Sequence, residues 1–295
     1  MKSFTRKALI SLGGLLATAL TLSACGSADP TADTAANTQA PLYNRLPERI
    51  QKSGVLKIGG SATVAPYVFK DGNEIVGMDK DLMDALVGVL GVRLEFHDTP
   101  YESIITGLKS QRIDVAMGNL SDTRERQAVA DLVDYRMVPQ SLLVPTGNPK
   151  GLTSIDNLCG AVVAGVAGSL SDEQVATEQN GKCKAAGKPG VGFSAFQDAT
   201  AAILAVQTKR ADIMILNGAV ATYISNTTKK TEVAGKPFRP RYHAALVLKT
   251  NTDIRDALVA AFTELIENGT YAKLLAKWDL AYTAIPAPRV NAGTT

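Results

Sequence analysis

The sequence predicts an α/β protein of open, mostly parallel sheets covered by helices. Short apolar strands alternate with amphipathic helical segments in a β-α-β-α-β order, which implies parallel strands with crossover helices. The series occurs twice, with a turn at Gly147-Asn148-Pro149 between the two runs. About 250 residues follow a short leader, enough for one large domain or two modest ones.

The leader opens with Lys2, Arg6 and Lys7 and continues as an apolar run over 8–22. That run is short for a membrane span and has the flanks of an export signal. It ends in Leu22-Ser23-Ala24-Cys25-Gly26, which resembles a lipobox, so cleavage after residue 24 and lipidation of Cys25 are expected. Residues 25–41 are Ser, Ala, Thr, Asp, Asn and Pro with little to bury, a flexible tether. The formal charge of +3 includes the three leader cations, and taking them from the 31 basic residues leaves 28 against 28 acidic ones. A neutral mature chain gives no reason to expect nucleic acid as a partner.

Export places the chain in an oxidising compartment. With Cys25 assigned to lipid, Cys159 and Cys183 are an even pair and are expected to be bridged. Two Cys with the scattered His97 and His243 make no metal-ligand spacing, so no metal and no cofactor is expected.

The first series places strands at 55–59, 92–96 and 114–117 and helices at 79–90 and 103–110. In the 79–90 helix Leu82, Met83, Leu86 and Leu90 share a face, and Asp79 and Asp81 suit its entry. A strand at 141–144 leads to the second series: strands at 161–166, 191–193 and 212–216, with helices from 172 and over 199–209. A strand at 242–249 and two helices within 253–278, parted by Asn268-Gly269, complete the pattern. The tail from Thr283, with Pro286 and Pro288, has no periodicity and is expected to lie against the surface.

The chemistry concentrates in 113–126, an apolar strand that breaks at Gly118-Asn119 and resumes as Ser121-Asp122-Thr123-Arg124-Glu125-Arg126. A strand end, free backbone N–H groups, the Ser121 hydroxyl and the Arg126 guanidinium suit a bound carboxylate. The same spacing allows a solvated i,i+4 pair of Asp122 with Arg126. Ligands of open α/β sheets sit beyond the carboxyl ends of the strands. Were the two sheets to face each other, Ser121 and Arg126 would meet Ser169 and Leu170 across a cleft.

Six segments in order carry a resemblance: Ala65-Pro66-Tyr67-Val68-Phe69, Val76-Gly77-Met78-Asp79-Lys80-Asp81-Leu82, the 113–126 stretch, Gly165-Val166-Ala167-Gly168-Ser169, Lys209-Arg210-Ala211-Asp212, and Asn268-Gly269-Thr270-Tyr271-Ala272-Lys273. Together they resemble extracytoplasmic solute-binding proteins of the family 3 type, which feed polar amino acids to ATP-driven importers. The resemblance implies a two-lobed periplasmic binding protein-like II fold in which two hinge strands join the lobes. Residues 42–139 and 243–288 would form lobe 1, 140–242 lobe 2, and 289–295 a tail. It also implies a role for each of several residues. Arg126 would hold the ligand α-carboxylate, aided by Gly118, Asn119 and Ser121, with Ser169 and Leu170 donating from the other lobe. Tyr101 would pack on the ligand side chain, and Ser61, Val64 and Tyr67 would line the first strand end. Asn217 stands where such binders usually present a carboxylate to the ligand ammonium, so a neutral or acidic amino acid, or a carboxylate with a masked amine, suits the pocket better than a basic one.

The expected partners are a small carboxylate ligand, probed first as an amino acid, and an ABC importer permease. The membrane is met through the lipid anchor alone, at the outer face of the cytoplasmic membrane, and the chain is expected to be a monomer. Some enzymes share the lobe pair, including cyclohexadienyl/arogenate dehydratases, and a ligand sensor for a separate partner is a third possibility. No His lies in a site motif here, Glu102 reads as a helix-start acid, and Trp278 as an anchor for the last helix, so a binding protein and not an enzyme is the expectation.

Overall fold

The computed structural model describes residues 36–167 and 170–294. The leader, Cys25 and Ser169 lie outside the described residues. Strands in chain order are β1 (Val55–Gly60), β2 (Thr63–Val64), β3 (Val68–Asp71), β4 (Glu74–Val76), β5 (Arg93–Asp98), β6 (Val115–Ala116), β7 (Ala130–Pro145), β8 (Val162–Val166), β9 (Gly192–Phe196), β10 (Ile213–Asn217), β11 (Thr231–Leu248) and β12 (Arg289–Val290). Helices are α1 (Glu48–Ser53), α2 (Met78–Leu90), α3 (Ile104–Lys109), α4 (Arg124–Val129), α5 (Leu170–Ala185), α6 (Ala199–Gln207), α7 (Gly218–Thr228), α8 (Thr252–Glu267) and α9 (Thr270–Lys277).

The main sheet runs β5-β1-β6-β11-β7-β10-β8-β9, with β12 added on β7. Its flanks are parallel: β1 lies between β5 and β6, and β8 between β9 and β10. Its centre is antiparallel, because β7 and β11 pair along most of their length. The two expected sheets are therefore joined into one hydrogen-bonded path by the strands that cross between the lobes. Register shifts interrupt that pairing between Ala234 and Phe238, between Phe238 and Arg241, and between His243 and Ala244. Such irregularities bend a ladder and increase its local twist.

The two βα units repeat one device. Asp114, just before β6, accepts from the backbone N–H of Lys57 on β1 at 3.0 Å and from Arg49 at 2.6 Å. Asp212, just before β10, accepts from the N–H of Val162 on β8 at 2.8 Å and from Lys150 at 2.8 Å. In each unit a carboxylate satisfies the orphan amide at a strand start.

Apolar cores follow the same division. Leu56, Ile58, Leu82, Met83, Leu86 and Leu90 join Phe262, Leu265 and Leu275 at one end. Leu142, Leu158, Val163, Ile213 and Ile215 form the core at the other. Ala219 of α7 is buried in the first of these cores and Ala221 in a further one with Leu143 and Met214, so α7 joins the first core to the face of β7 and β10. Trp278 anchors the last helix as expected, its indole N–H donating to Asp81 Oδ2 at 2.7 Å and its ring meeting Phe69 edge-on.

Several elements differ from expectation. Strand β7 begins at Ala130 rather than 141, because the buried Asp131, Asp134 and Arg136 hide its apolar pattern, and β11 begins at Thr231 rather than 242, because Glu232, Lys236, Pro237, Arg239, Pro240 and Arg241 break up the pattern there. Helix α7, the small β2-β3-β4 sheet and α1 were not expected. Asp79 is no cap: Gly77 holds that place, and the Asp79 side chain is buried. The featureless tail becomes β12.

Cys159 and Cys183 are bridged with their Cα atoms 5.5 Å apart, linking the loop before β8 to α5 across 24 residues. Replacing both by Ser is expected to lower unfolding free energy by about 3 kcal/mol through the entropy of the opened loop, read from the shift of a urea unfolding curve.

Candidate functional site

The stretch 117–126 turns sharply beyond β6. Gly118 has φ 117° and Asn119 φ 55°, both in the left-handed region. The positive φ favours glycine at 118, and a Cβ there would also stand close to Val68 Cγ2, at 3.1 Å. The turn aims the Asn119 N–H at Asp79 Oδ2, 3.0 Å away, and leaves its side chain facing the neighbouring elements. Ser121 then bridges to His243 of β11. Thr123 caps α4, its Oγ1 accepting from Arg126 N at 3.4 Å.

The guanidinium of Arg126 donates from Nη1 to the Ser121 carbonyl at 2.7 Å. The i,i+4 alternative is not what forms, because the Asp122 carboxylate takes Gln127 Nε2 at 2.8 Å and the Gly293 N–H at 2.6 Å. Among the described residues Arg126 has no ion pair, and burial lowers its pKa from the ordinary arginine value. Arg126, Ser121 and Tyr101 line a cavity of about 630 Å³ together with Thr123, Glu125 and Arg241. Thr123 and Glu125 belong to the stretch already marked in the sequence, and Glu102 also lines the cavity; Arg241, from β11, was not singled out, because nothing in the sequence marks a residue that another element brings to the site.

A second group of expected residues meets on the other side of Asn119. Asn217, at the end of β10, caps α7, and its Oδ1 accepts from Ala219 N at 3.0 Å and Val220 N at 3.4 Å. The same oxygen accepts from the Tyr67 hydroxyl at 2.6 Å. The helix amides need an acceptor, so the cap fixes which way the amide faces. Its Nδ2 therefore donates, to Asn119 Oδ1 at 3.3 Å, and Asn119 Nδ2 donates in turn to the Tyr101 hydroxyl at 3.4 Å. Burial raises the pKa of Tyr67 and of Tyr101, so both are neutral phenols near pH 7.

Beneath this wall lies a buried ion pair that sequence reasoning missed. Arg136 of β7 grips Asp79 of α2 with both terminal nitrogens, at 2.7 and 3.1 Å, and both side chains are fully buried. Tyr135 donates to the same carboxylate at 2.9 Å. The Arg136 guanidinium stacks 4.0 Å from the centre of the Tyr67 ring and stands 3.2 Å from His243 Nδ1. Burial, and then the Arg136 charge, hold His243 well below its ordinary pKa, so the ring is neutral and Nδ1 accepts. The contacts close a ring: Asn217 to Tyr67, Tyr67 to Arg136, Arg136 to Asp79, Asp79 to Asn119, and Asn119 back to Asn217.

Of the other expected residues, Ser61 is buried with its hydroxyl 2.8 Å from that of Thr63, and Val64 packs on the core beside α2. Leu170 opens α5. Among the described residues no group of three or more His, Cys, Asp or Glu side chains is arranged to hold a metal ion.

Residues 56–281 match the family model for bacterial extracellular solute-binding proteins, family 3. The chain belongs to that family. The arginine-binding protein ArgT of Corynebacterium glutamicum is 25% identical over 97% of this chain and 96% of its own. The ABC transporter glutamine-binding protein GlnH of Bacillus subtilis is 25% identical over 94% and 97%. Among solved structures, an ancestral amino acid-binding protein described as a precursor of cyclohexadienyl dehydratase superposes with a TM-score of 0.64 at 29% identity, over 78% of this chain and 97% of that one. The two-lobed α/β fold is the one that this family uses, and among the described residues no helix is long and apolar enough to cross a membrane.

In this family 3 protein the Asp79–Arg136 pair is the costliest contact to break, since loss of one partner strands a buried charge. Arg136→Met is expected to lower unfolding free energy by about 3–5 kcal/mol, and the double variant Asp79→Leu/Arg136→Met by less, as measured by urea denaturation of the single and double variants.

Proposed function

We propose that this family 3 protein is a lipid-anchored, monomeric capture protein that closes on an amino acid or related small carboxylate and delivers it to an ABC importer permease. The observation that carries the proposal is the half-buried Arg126 guanidinium, without a carboxylate partner among the described residues and facing a cavity beside Tyr101 and Ser121. Such a cation suits bidentate pairing with a carboxylate brought by the ligand. Residues 42–139 with 243–288 form one lobe in this proposal and 140–242 the other, with β7 and β11 as hinge strands. Ser169 and Leu170 supply donors from the second lobe. Contact with both half-sites favours the closed form, since only differential affinity shifts such an equilibrium.

The direction of the Asn217 amide bears on ligand class. Its oxygen is used by α7 and Tyr67, so the group turned towards Asn119 is a donor where an ammonium needs an acceptor. A neutral or acidic amino acid, or a carboxylate whose amine is masked, suits this wall better than arginine. A structural relative described as an amino acid-binding precursor of cyclohexadienyl dehydratase is the reason to test an enzymatic reading as well.

A calorimetric panel of amino acids, including the arginine and glutamine for which relatives are named, with their N-acetyl forms, tests the proposal. One or more is expected to bind with 1:1 stoichiometry, Arg126→Ala to weaken that solute by about 30-fold to 1000-fold, the loss of a buried charge pair, and prephenate and arogenate to be returned unchanged. Asn217→Asp keeps the helix cap and is expected to raise affinity for free amino acids over their N-acetyl forms by about tenfold. Affinity untouched by Arg126→Ala means that the carboxylate grip lies elsewhere.

A further inference from the structure

Behind the site, the segment that follows Pro288 is tied to the helix that carries Arg126. Arg289 and Val290 pair with Asp134 and Val133 of β7. Asn291 then donates its N–H to the Leu132 carbonyl at 2.9 Å and accepts the Leu132 N–H on Oδ1 at 2.9 Å. Ala292 N donates to Asp134 Oδ2 at 3.0 Å, and Gly293 N to Asp122 Oδ2 at 2.6 Å. On α4 itself, Gln127 Nε2 donates to the Gly293 carbonyl at 2.8 Å and Arg124 Nε to the Thr294 carbonyl at 3.3 Å. Arg126 lies between those two attachment points.

The approach is close enough to demand glycine. A Cβ on Gly293 would stand 2.6 Å from the Asp122 carboxylate carbon and closer still to its backbone carbonyl. Two acids meet under this contact. Asp134 is fully buried, its Oδ1 has no donor among the described residues, and successive amides of the tail go to the two acids, Ala292 N to Asp134 Oδ2 and Gly293 N to Asp122 Oδ2, which sets the two carboxyl groups beside each other. Only a protonated carboxyl can donate to a neighbouring carboxylate.

We propose that residues 289–294 form a clasp that holds α4, and with it Arg126, and that an acid–carboxylate pair of Asp134 with Asp122 locks the clasp, so that alkaline conditions loosen the helix.

The groups facing Asp134 are few. Asp122 comes from the loop before α4 and Arg289 from β12; the residue opposite on β11 is Ala244. Arg136, two residues along β7, is committed to Asp79, and Arg124 of α4 to Thr294. Burial pushes Asp134 up to about 8 from an ordinary 3.8, and the Asp122 charge adds to it, against the Ala292 N–H and Arg289. In the released clasp the group is exposed and ordinary. The clasped state therefore holds the proton more tightly, and its advantage is complete below about pH 4, falls as pH rises towards 8, and is level above.

Amide hydrogen exchange of the full chain without added solute, corrected for intrinsic rates, tests this on peptides spanning 122–129 and 289–294. Protection of both is expected to fall by about tenfold or more between pH 5.5 and pH 9. Asp134→Asn, which keeps a donor for Asp122 but does not titrate, is expected to hold the low-pH protection at both values. Gly293→Ala is expected to lower protection of 122–129 at both values while α8 peptides stay unchanged. Equal wild-type protection at the two pH values, or the same loss in Asp134→Asn, overturns the lock. Unchanged protection of 122–129 in Gly293→Ala overturns the clasp. Because no solute is present, these outcomes are separate from failure of the carboxylate-binding proposal.

Discussion

The Asp79–Arg136 ion pair is the constraint on which the site depends. An isolated charge in either position would be intolerable in a core, and each is tolerable because the other meets it with two hydrogen bonds and Tyr135 adds a third. The consequence is geometric. Arg136 belongs to a crossing strand and Asp79 to α2, and the carboxylate has one more contact to give, to the Asn119 N–H at the turn after β6. Helix, crossing strand and site loop are thereby set against one another by one buried pair.

That pair also reaches the end of β10. The guanidinium lies flat on Tyr67, whose hydroxyl donates to Asn217 at the start of α7. A cation against an aromatic face is stronger when both are dry. Asn217 thus serves three tasks at once: it caps a helix, receives the tyrosine, and donates to Asn119. Its cap fixes the direction of the hydrogen-bond chain, so a donor is turned towards Asn119.

The crossing strands are where fold and function meet. β7 and β11 pair almost throughout, yet their register slips at three places near the centre. A ladder that is continuous but irregular can bend there without losing its flanking hydrogen bonds, which is what a hinge between two packed lobes requires. Beside the last of these slips, Val133 and Asp134 of β7 also receive β12, the strand that arrives last in the sequence.

Local pattern by itself determined the alternation of strands and helices, the face of α2 and the bridging of Cys159 with Cys183, since each follows from periodicity, residue type or spacing, whereas spacing left Arg126 equally able to pair with Asp122. Tertiary structure decided the rest. The first half of β7 is illegible in the sequence because Asp131, Asp134 and Arg136 interrupt its apolar run, and a buried charge is legible only when its partner, dozens of residues away, is in place. Asp79 looked like a helix-entry acid for the same reason. The first half of β11 is illegible because Pro237, Pro240 and their charged neighbours leave no strand pattern. The tail showed no period because two residues of strand and a glycine contact carry no pattern of their own. Short-range signals report which backbone shape is cheap, whereas burial of charge is settled by contacts that exist only after the chain has folded.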